Sequence, residues 1–432
     1  MSEDREMKNK QSSTGGLTRR DLLKTVATSL VLGAAAPLDA ATPNPTMQAS
    51  ASRQYDLLIK GGKVIDPSQG ITSVMDVALV LDKVAHVAPD IPASQARRVI
   101  HAEGKIVTPG LIDSHIHVFP FVGPYGLEAD PYCVHRGVTT VVDAGTSGYF
   151  TFPAFRHYNI QRATTRIRPL LHIVSLGMVA GSMPNMGELM DLRYCVPRLA
   201  VERARQNPGV IVGFKVRCSK TYTGPNDVEG VRRAREAAAE AHLPLMMHIG
   251  GSYSPLYKLV DQMQKGDIVT HTYNHFPSGI LEPDGKLKKT VLEARQRGVR
   301  FDVGHGAGSF SFDVAAKCLD QGFPPDTIST DLYTADSHGP VYDMCTTISK
   351  FMLLGMPLPE IIRRTTVNAV DTFHFKEKIG TLKPGSEADV SVFEIQEGNF
   401  TLTDSYRDTR KTRQRLAPVV TVRGGELYYP YV

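Results

Sequence analysis

Pro109-Gly110-Leu111-Ile112-Asp113-Ser114-His115-Ile116-His117 is an apolar run that ends in two histidines one residue apart. Residues two apart on a strand point to the same face, so both imidazoles can reach one ion. Taken alone, the pair is equally a polar rim at the end of a strand. Its meaning depends on what the rest of the chain brings to the same place.

Short apolar runs recur downstream in the order Ile106 to Ile116, Thr139 to Asp143, Leu170 to Ser175, Ile211 to Val216, Leu245 to Ile249, Ile268 to His271, Arg300 to Val303 and Thr327 to Ser329. Helix-like stretches fill several of the gaps: Val228 to His242, Leu287 to the glycine at 298, Val341 to Leu354 and Leu358 to Asn368. Strands alternating with helices predict a parallel α/β arrangement, and eight strands are the number of a closed (β/α)8 barrel. Such a barrel gathers the carboxyl ends of its strands at one mouth. Lys215, His248, His271 and Asp331 lie at or just beyond the ends of later runs, so with His115 and His117 they form a candidate metal-ligand array.

The flanks differ in texture. From Tyr55 to Val107, short alternating runs such as Asp56 to Lys60, Val77 to Leu81 and Arg98 to Ile100 are separated by turn residues. The same pattern returns in Ala388 to Glu394 and Pro418 to Arg423, with Gly424-Gly425 as a hairpin signal between Val422 and Leu427. The two ends therefore predict one small discontinuous β-sandwich. The expected organisation is a leader over residues 1–51, sandwich halves over 52–107 and 379–432, and the barrel over 108–378.

Within the leader, Thr18-Arg19-Arg20-Asp21-Leu22-Leu23-Lys24 precedes an apolar stretch from Thr25 to Ala36 that is too short to span a bilayer. It resembles a twin-arginine signal, which implies export to the periplasm by the twin-arginine machinery. Cleavage fits Ala49-Ser50-Ala51 or a point near Ala40.

The 432 residues are 42% hydrophobic and 22% charged, with a formal net charge of +5. That composition describes a globular chain with a large core, and it gives no support to nucleic-acid binding. Cys133, Cys195, Cys218, Cys318 and Cys345 contain no C-x-x-C pair, and an odd number cannot all pair within one chain.

The opening Pro109 to His117 stretch, together with the ordered array, resembles the amidohydrolase superfamily over Tyr55 to Val422. The resemblance implies a binuclear hydrolase, with His115 and His117 on one divalent ion, His248 and His271 on the other, and Lys215 between them. Lys215 would be carboxylated by carbon dioxide to a carbamate. Asp331 would bind the first ion and act as general base, then general acid, for a bridging hydroxide. Zinc suits these ligand types best, with manganese, iron and cobalt also compatible.

Gly213-Phe214-Lys215-Val216-Arg217, Phe301-Asp302-Val303-Gly304-His305-Gly306 and Ser329-Thr330-Asp331-Leu332 are most similar to dihydroorotase-like amidohydrolases and deacetylases. A dihydroorotase carries an arginine two residues after the second histidine; here that position is Phe119. The resemblance therefore implies hydrolysis of an amide or ester, with an acetyl group favoured, in a small acylated acid. A cyclic-amide hydrolase and an inactive barrel that only binds are the alternatives. Arg217, His305 and Gly306 are the candidate substrate contacts, Arg217 as a fork for a carboxylate and the other two as donors to an anionic group. Arg217 could equally sit in a structural ion pair, and His305 could be a loop histidine without such a duty. Self-association is compatible with this fold, and no interface is legible in the chain.

Overall fold

Sixteen strands divide between two sheets in the computed structural model, which describes residues 53–179, 181 and 188–431. The leader, the twin-arginine motif included, lies outside those residues. Among the described residues, no helix is long and apolar enough to cross a membrane.

The first sheet joins the two ends of the chain. It contains β1 (Tyr55–Asp66), β2 (Ile71–Val80), β3 (Lys83–Ala88), β4 (Ala96–His101), β5 (Ile106–Pro109) and the C-terminal β14 (Val390–Thr403), β15 (Thr409–Arg423) and β16 (Glu426–Tyr428). The junction is antiparallel pairing of β14 with β5, Val392 opposite Val107. The hairpin signal at Gly424-Gly425 is the turn between β15 and β16: Val422 pairs with Leu427, and both glycines have positive φ. Where two sandwich layers were expected, hydrogen bonding makes one continuous sheet. Leu57, Val77, Val107, Val392 and Val420 from across it meet in a single apolar cluster, so the sheet wraps around its own core.

The second sheet is parallel and holds β6 (Leu111–Ile116), β7 (Val138–Gly148), β8 (Arg166–Ile167), β9 (Leu170–His172), β10 (Gly213–Arg217), β11 (Leu245–His248), β12 (Ile268–Thr270) and β13 (Arg300–Phe301). Its path runs β13-β12-β11-β10-β9-β7-β6, with β8 paired to β7. Neighbouring residues on one strand serve different cores: Met247 joins the cluster packed with the helices, whereas Met246 joins Leu170, Val212, Ile268 and Phe373. Burial on both faces explains why these strands read as unbroken apolar runs.

Two expectations need correction. The single strand expected over Ile106 to Ile116 is two, because β5 belongs to the first sheet and β6 to the second, with the break at Gly110. The chain thus changes sheets inside what looked like one run, and the boundary expected at 107 falls within β5. The eighth strand expected at Thr327 to Ser329 is not a strand. The segment from Thr327 to Leu332 makes isolated parallel bridges on both sides, Asp302 with Thr327 and Ile116 with Leu332. Its backbone hydrogen-bonds to both flanking segments: Asp331 N donates to His115 O, His117 N to Leu332 O, and Gly306 N to Thr330 O.

Helices cover the outer face. Asp227–Ala241 buries Val231, Ala234 and Ala238, spaced three and four apart, and ends at His242 in a left-handed conformation. Lys289–Gln296 is followed by Gly298 at φ +89°, the expected glycine stop. Met344–Leu353 is capped by Asp343, whose side chain accepts from Thr346 N. β14 and β15 stay paired to Thr403 and Thr409, and the Leu416 amide donates to Ser349 Oγ on that last helix. The turn at residues 404–408 is therefore carried to the neighbourhood of the loop that follows β13.

Candidate active site

Six side chains end on or just beyond the carboxyl ends of the parallel segments and line one cavity of about 290 Å³: His115, His117, Lys215, His248, His271 and Asp331. Asp331 Oδ1 is 3.1 Å from His115 Nε2 and 3.0 Å from His117 Nε2, and its Oδ2 is 3.9 Å from His271 Nδ1. Lys215 Nζ is 3.2 Å from His115 Nε2. The His248 and His271 rings stand 4.2 Å apart, centre to centre.

Hydrogen bonds behind the rings fix which nitrogen carries the proton. Thr270 Oγ1 donates to Asp302 Oδ2 at 2.7 Å, so His115 Nδ1, 2.8 Å from the same oxygen, is the donor to it. Thr146 Oγ1 likewise donates to Asp143 Oδ2 and receives His117 Nδ1, both at 2.8 Å. His271 Nδ1 donates to the Gly304 carbonyl at 2.7 Å. Ser219 Oγ, committed to the Gly250 carbonyl, receives His248 Nε2 at 2.9 Å. Each imidazole thus leaves its other nitrogen free to present a lone pair.

Lone pairs of His115 and His117 facing a carboxylate at hydrogen-bond distance repel unless a cation sits among them. His115, His271 and Asp331 offer one donor atom each, all within 4.8 Å of one another. The donor set fits a divalent cation, and the carboxylate and hydroxyl partners behind the rings orient them as in many metal centres.

Electrostatics agree with this picture. Burial holds His117, His248 and His271 below the ordinary histidine range, His271 at about 3. Burial and Lys215 also pull His115 down, but Asp331 and Asp302 outweigh them and hold it raised. Burial lowers Lys215 to about 8 against the pull of Asp331. Burial alone would raise Asp331, but the three imidazoles hold it well below the carboxylate range. His271 and Asp331 also sit at positive φ, +66° and +48°, a conformation uncommon for residues other than glycine.

The three candidate substrate contacts fare differently. Arg217 lines the cavity, but its guanidinium is already engaged by Glu188: Nε donates at 2.8 and 3.1 Å to the two carboxylate oxygens, and Nη2 closes the pair. It lies 3.6 Å from the Tyr222 ring centre. The ion pair, one of the two roles open to it, is the one observed. His305 turns away from the cavity. Its Nδ1 donates to the Gly306 carbonyl at 2.9 Å, its Nε2 accepts from Lys350 Nζ at 2.7 Å, and its ring stacks on Phe310. The Gly306 amide is spent on Thr330 O, so it does not point at a ligand. A glycine is needed there because a Cβ would stand 2.2 Å from Asp331 Oδ2, with φ at +51°. Phe119, where an arginine would mark a dihydroorotase, is buried and stacked on Phe155 at 4.7 Å.

The cavity wall holds residues that sequence reading missed: Tyr125, Lys220, Tyr222 and Phe276. Tyr333, two residues beyond Asp331, also lines it. Beneath the site, Asp302 gathers the hydroxyls of Ser114, Thr270, Thr327 and Ser329 from three segments of the parallel layer. An aspartate closing an apolar run beside several hydroxyl-bearing strand ends was the available signal.

Comparison with known proteins now bears on this geometry. The amidohydrolase family model matches residues 106–427. The chain belongs to the amidohydrolase family. A deacetylase of Enterococcus faecalis is 38% identical over 379 residues, covering 87% of this chain and 99% of that protein. A deacetylase of Agrobacterium fabrum is 30% identical, covering 88% and 93%. A solved structure described as an adenine deaminase superposes with a TM-score of 0.80 at 37% identity, covering 87% of this chain and all of that one. As an amidohydrolase, the protein is a hydrolytic enzyme of a metal-dependent family.

Proposed function

We propose that this amidohydrolase removes an acyl group, acetyl in the leading case, from a small acylated acid. The carrying observation is the convergence of four imidazoles, Lys215 and Asp331 on one cavity. His115 and His117 would hold one divalent ion and His248 and His271 the other, with Asp331 on the first and Lys215, as its carbamate, shared between them. Zinc suits these donors. Such an ion pair lowers the pKa of a shared water and polarises an acyl carbonyl.

The chain's own groups supply the rest. Asp331, held ionised, accepts a proton at its carboxylate and returns it to the leaving oxygen or nitrogen. Among the described residues Lys215 has no carboxylate hydrogen-bonding or ion-pair partner, and its near neighbours are His115 Nε2 and Met246 Sδ. An amine in those surroundings favours the neutral form that adds carbon dioxide. Tyr125, Tyr222, Tyr333 and Phe276 exclude water and shape the acid side of the cavity. Lys220 lines that cavity and makes no ion pair or side-chain hydrogen bond among the described residues, whereas Arg217 is neutralised by Glu188, so Lys220 is the cation offered to a substrate carboxylate.

The same reading closes the parallel layer as an eight-fold barrel, with residues 327–332 as its eighth member; their hydrogen bonds to both neighbours support it. It also retains export, supported by Arg19-Arg20 ahead of an apolar stretch. The test is turnover by purified protein of O- and N-acetylated carboxylic acids, cyclic amides and adenine, with metal content measured on the same sample. Deacetylation lost on chelation, restored by zinc and abolished in Asp331→Asn is the expected result. Turnover confined to cyclic amides or adenine would replace this reading, and none in metal-loaded protein would favour a binding role.

A further inference from the structure

The long β14–β15 arm ends in a turn that reaches the mouth of the cavity. Asp404 Oδ1 accepts from Tyr406 N and Asp408 N at 2.8 and 2.9 Å, which fixes the turn, and its Oδ2 accepts from Phe312 N at 3.0 Å. Ser405 N donates to Phe310 O at 3.0 Å, and Ser405 Oγ accepts from Phe310 N at 3.2 Å and donates to Gly306 O at 2.7 Å. The turn thus adds itself edge-on to the loop that follows β13.

Tyr406 does something further. Its phenol donates to Gly308 O at 2.7 Å and accepts from His275 N at 3.1 Å, while its ring stacks on the His275 imidazole at 4.1 Å between centres. Gly308 belongs to the loop after β13, whose Ala307, Gly308 and Ser309 line the cavity. His275 precedes Phe276, which lines the cavity from the loop after β12. One hydroxyl therefore ties together two mouth loops, which are joined further inside by Ser311 N donating to Tyr273 O at 2.9 Å, and it is delivered by the turn of the C-terminal β14–β15 arm.

We infer that Tyr406 is a specificity-determining residue: its hydroxyl holds the Phe276 and Gly308 sides of the mouth at a fixed separation and so limits the size of the group that reaches the site. The inference rests on the hydrolase reading for its substrate, but the clamp itself does not. Removing the hydroxyl leaves the His275 stack in place and frees one backbone donor and one backbone acceptor at the protein surface.

The experiment compares wild type with Tyr406→Phe, and with Ser405→Ala as a second variant that loosens the turn from the other side. Hydrogen exchange is followed in peptides covering residues 274–279 and 305–310, and KM and kcat are measured on acyl esters of graded size. In Tyr406→Phe, exchange in both peptides should quicken by about fivefold, the equivalent of one neutral hydrogen bond. KM for the smallest substrate should rise by about the same factor, kcat and metal content should hold, and the preference for small acyl groups should flatten. Ser405→Ala should quicken exchange in the 305–310 peptide. Unchanged exchange in Tyr406→Phe overturns the clamp. Faster exchange with unaltered KM and size ranking overturns the specificity role, and so does loss of metal with a fall in kcat. If the wild type turns over no acyl substrate, the hydrolase reading fails, and exchange alone decides whether the hydroxyl holds the two loops.

Discussion

His115 and Asp302 are joined through a single hydroxyl: Thr270 Oγ1 receives the His115 Nδ1 proton at 2.8 Å and passes its own to Asp302 Oδ2 at 2.7 Å. The relay sets the tautomer and aim of a candidate ligand without touching the ion. Thr270→Val keeps the β-branched shape and removes the relay. Affinity for the divalent ion should fall by about 10–100-fold, the usual consequence of losing a ligand's supporting partner. A chelator competition measured alongside the wild type checks this, and an unchanged affinity would show that the hydroxyl is incidental.

Arg217 and Lys220 make opposite predictions although both are cations on one cavity wall. Arg217 is buried against Glu188, and truncating one member of such a pair leaves the other charge without compensation. Arg217→Ala should therefore cost stability, by about 3–5 kcal/mol in denaturant titration. Lys220→Ala should leave stability alone and raise KM for substrates carrying a free carboxylate. A loss of about 1.5–3 kcal/mol, typical of a charge-assisted hydrogen bond, corresponds to about 10–100-fold in KM. The matching methyl-ester substrates should be indifferent to the change. Equal effects on acid and ester would remove Lys220 from substrate recognition.

The convergence of the six candidate ligands on one cavity was legible in the sequence because a side chain at the end of a buried parallel strand follows an apolar run, as Lys215 follows Gly213-Phe214 and His248 follows Met246-Met247. The hairpin at Gly424-Gly425 was legible because its positive φ values demand that chemistry. Partnership was not. Arg217 looked available because Glu188, which binds it, lies 29 residues earlier in a connection without strand or helix periodicity. His305 looked like a mouth residue because a glycine-rich loop hides which way a ring turns, and Lys350, which holds it inward, comes from a helix 45 residues on. The change of sheet at Gly110 was hidden because β5 and β6 are both fully buried and so equally apolar.

Gly306→Ala tests how tightly that loop is fitted to Asp331. The added Cβ would meet Asp331 Oδ2 at 2.2 Å on a backbone at φ +51°. Either the carboxylate moves or the loop does. The variant should lose about 1–3 kcal/mol of stability from the strained conformation and at least about tenfold in kcat, since a displacement of this scale misplaces the group proposed to transfer the proton. Full activity with only the stability loss would mean that the loop yields and Asp331 does not need it.

Acid should act first through Glu188. Burial raises its carboxyl, but Arg217 and His172 more than offset this and hold it at about 2 in the folded protein, below the ordinary glutamate value of about 4.3. A depressed folded pKa contributes stability above the unfolded value, and that contribution is lost as pH falls from near 4.3 towards 2. The midpoint of thermal unfolding should therefore drop steeply over that window in wild type. In Glu188→Gln the starting stability is lower, because Arg217 keeps its charge without a counter-charge, and the drop over the same window should be shallower. Thermal melts of both proteins across pH 5 to 2 provide the comparison, and parallel curves would show that other carboxylates carry the acid sensitivity.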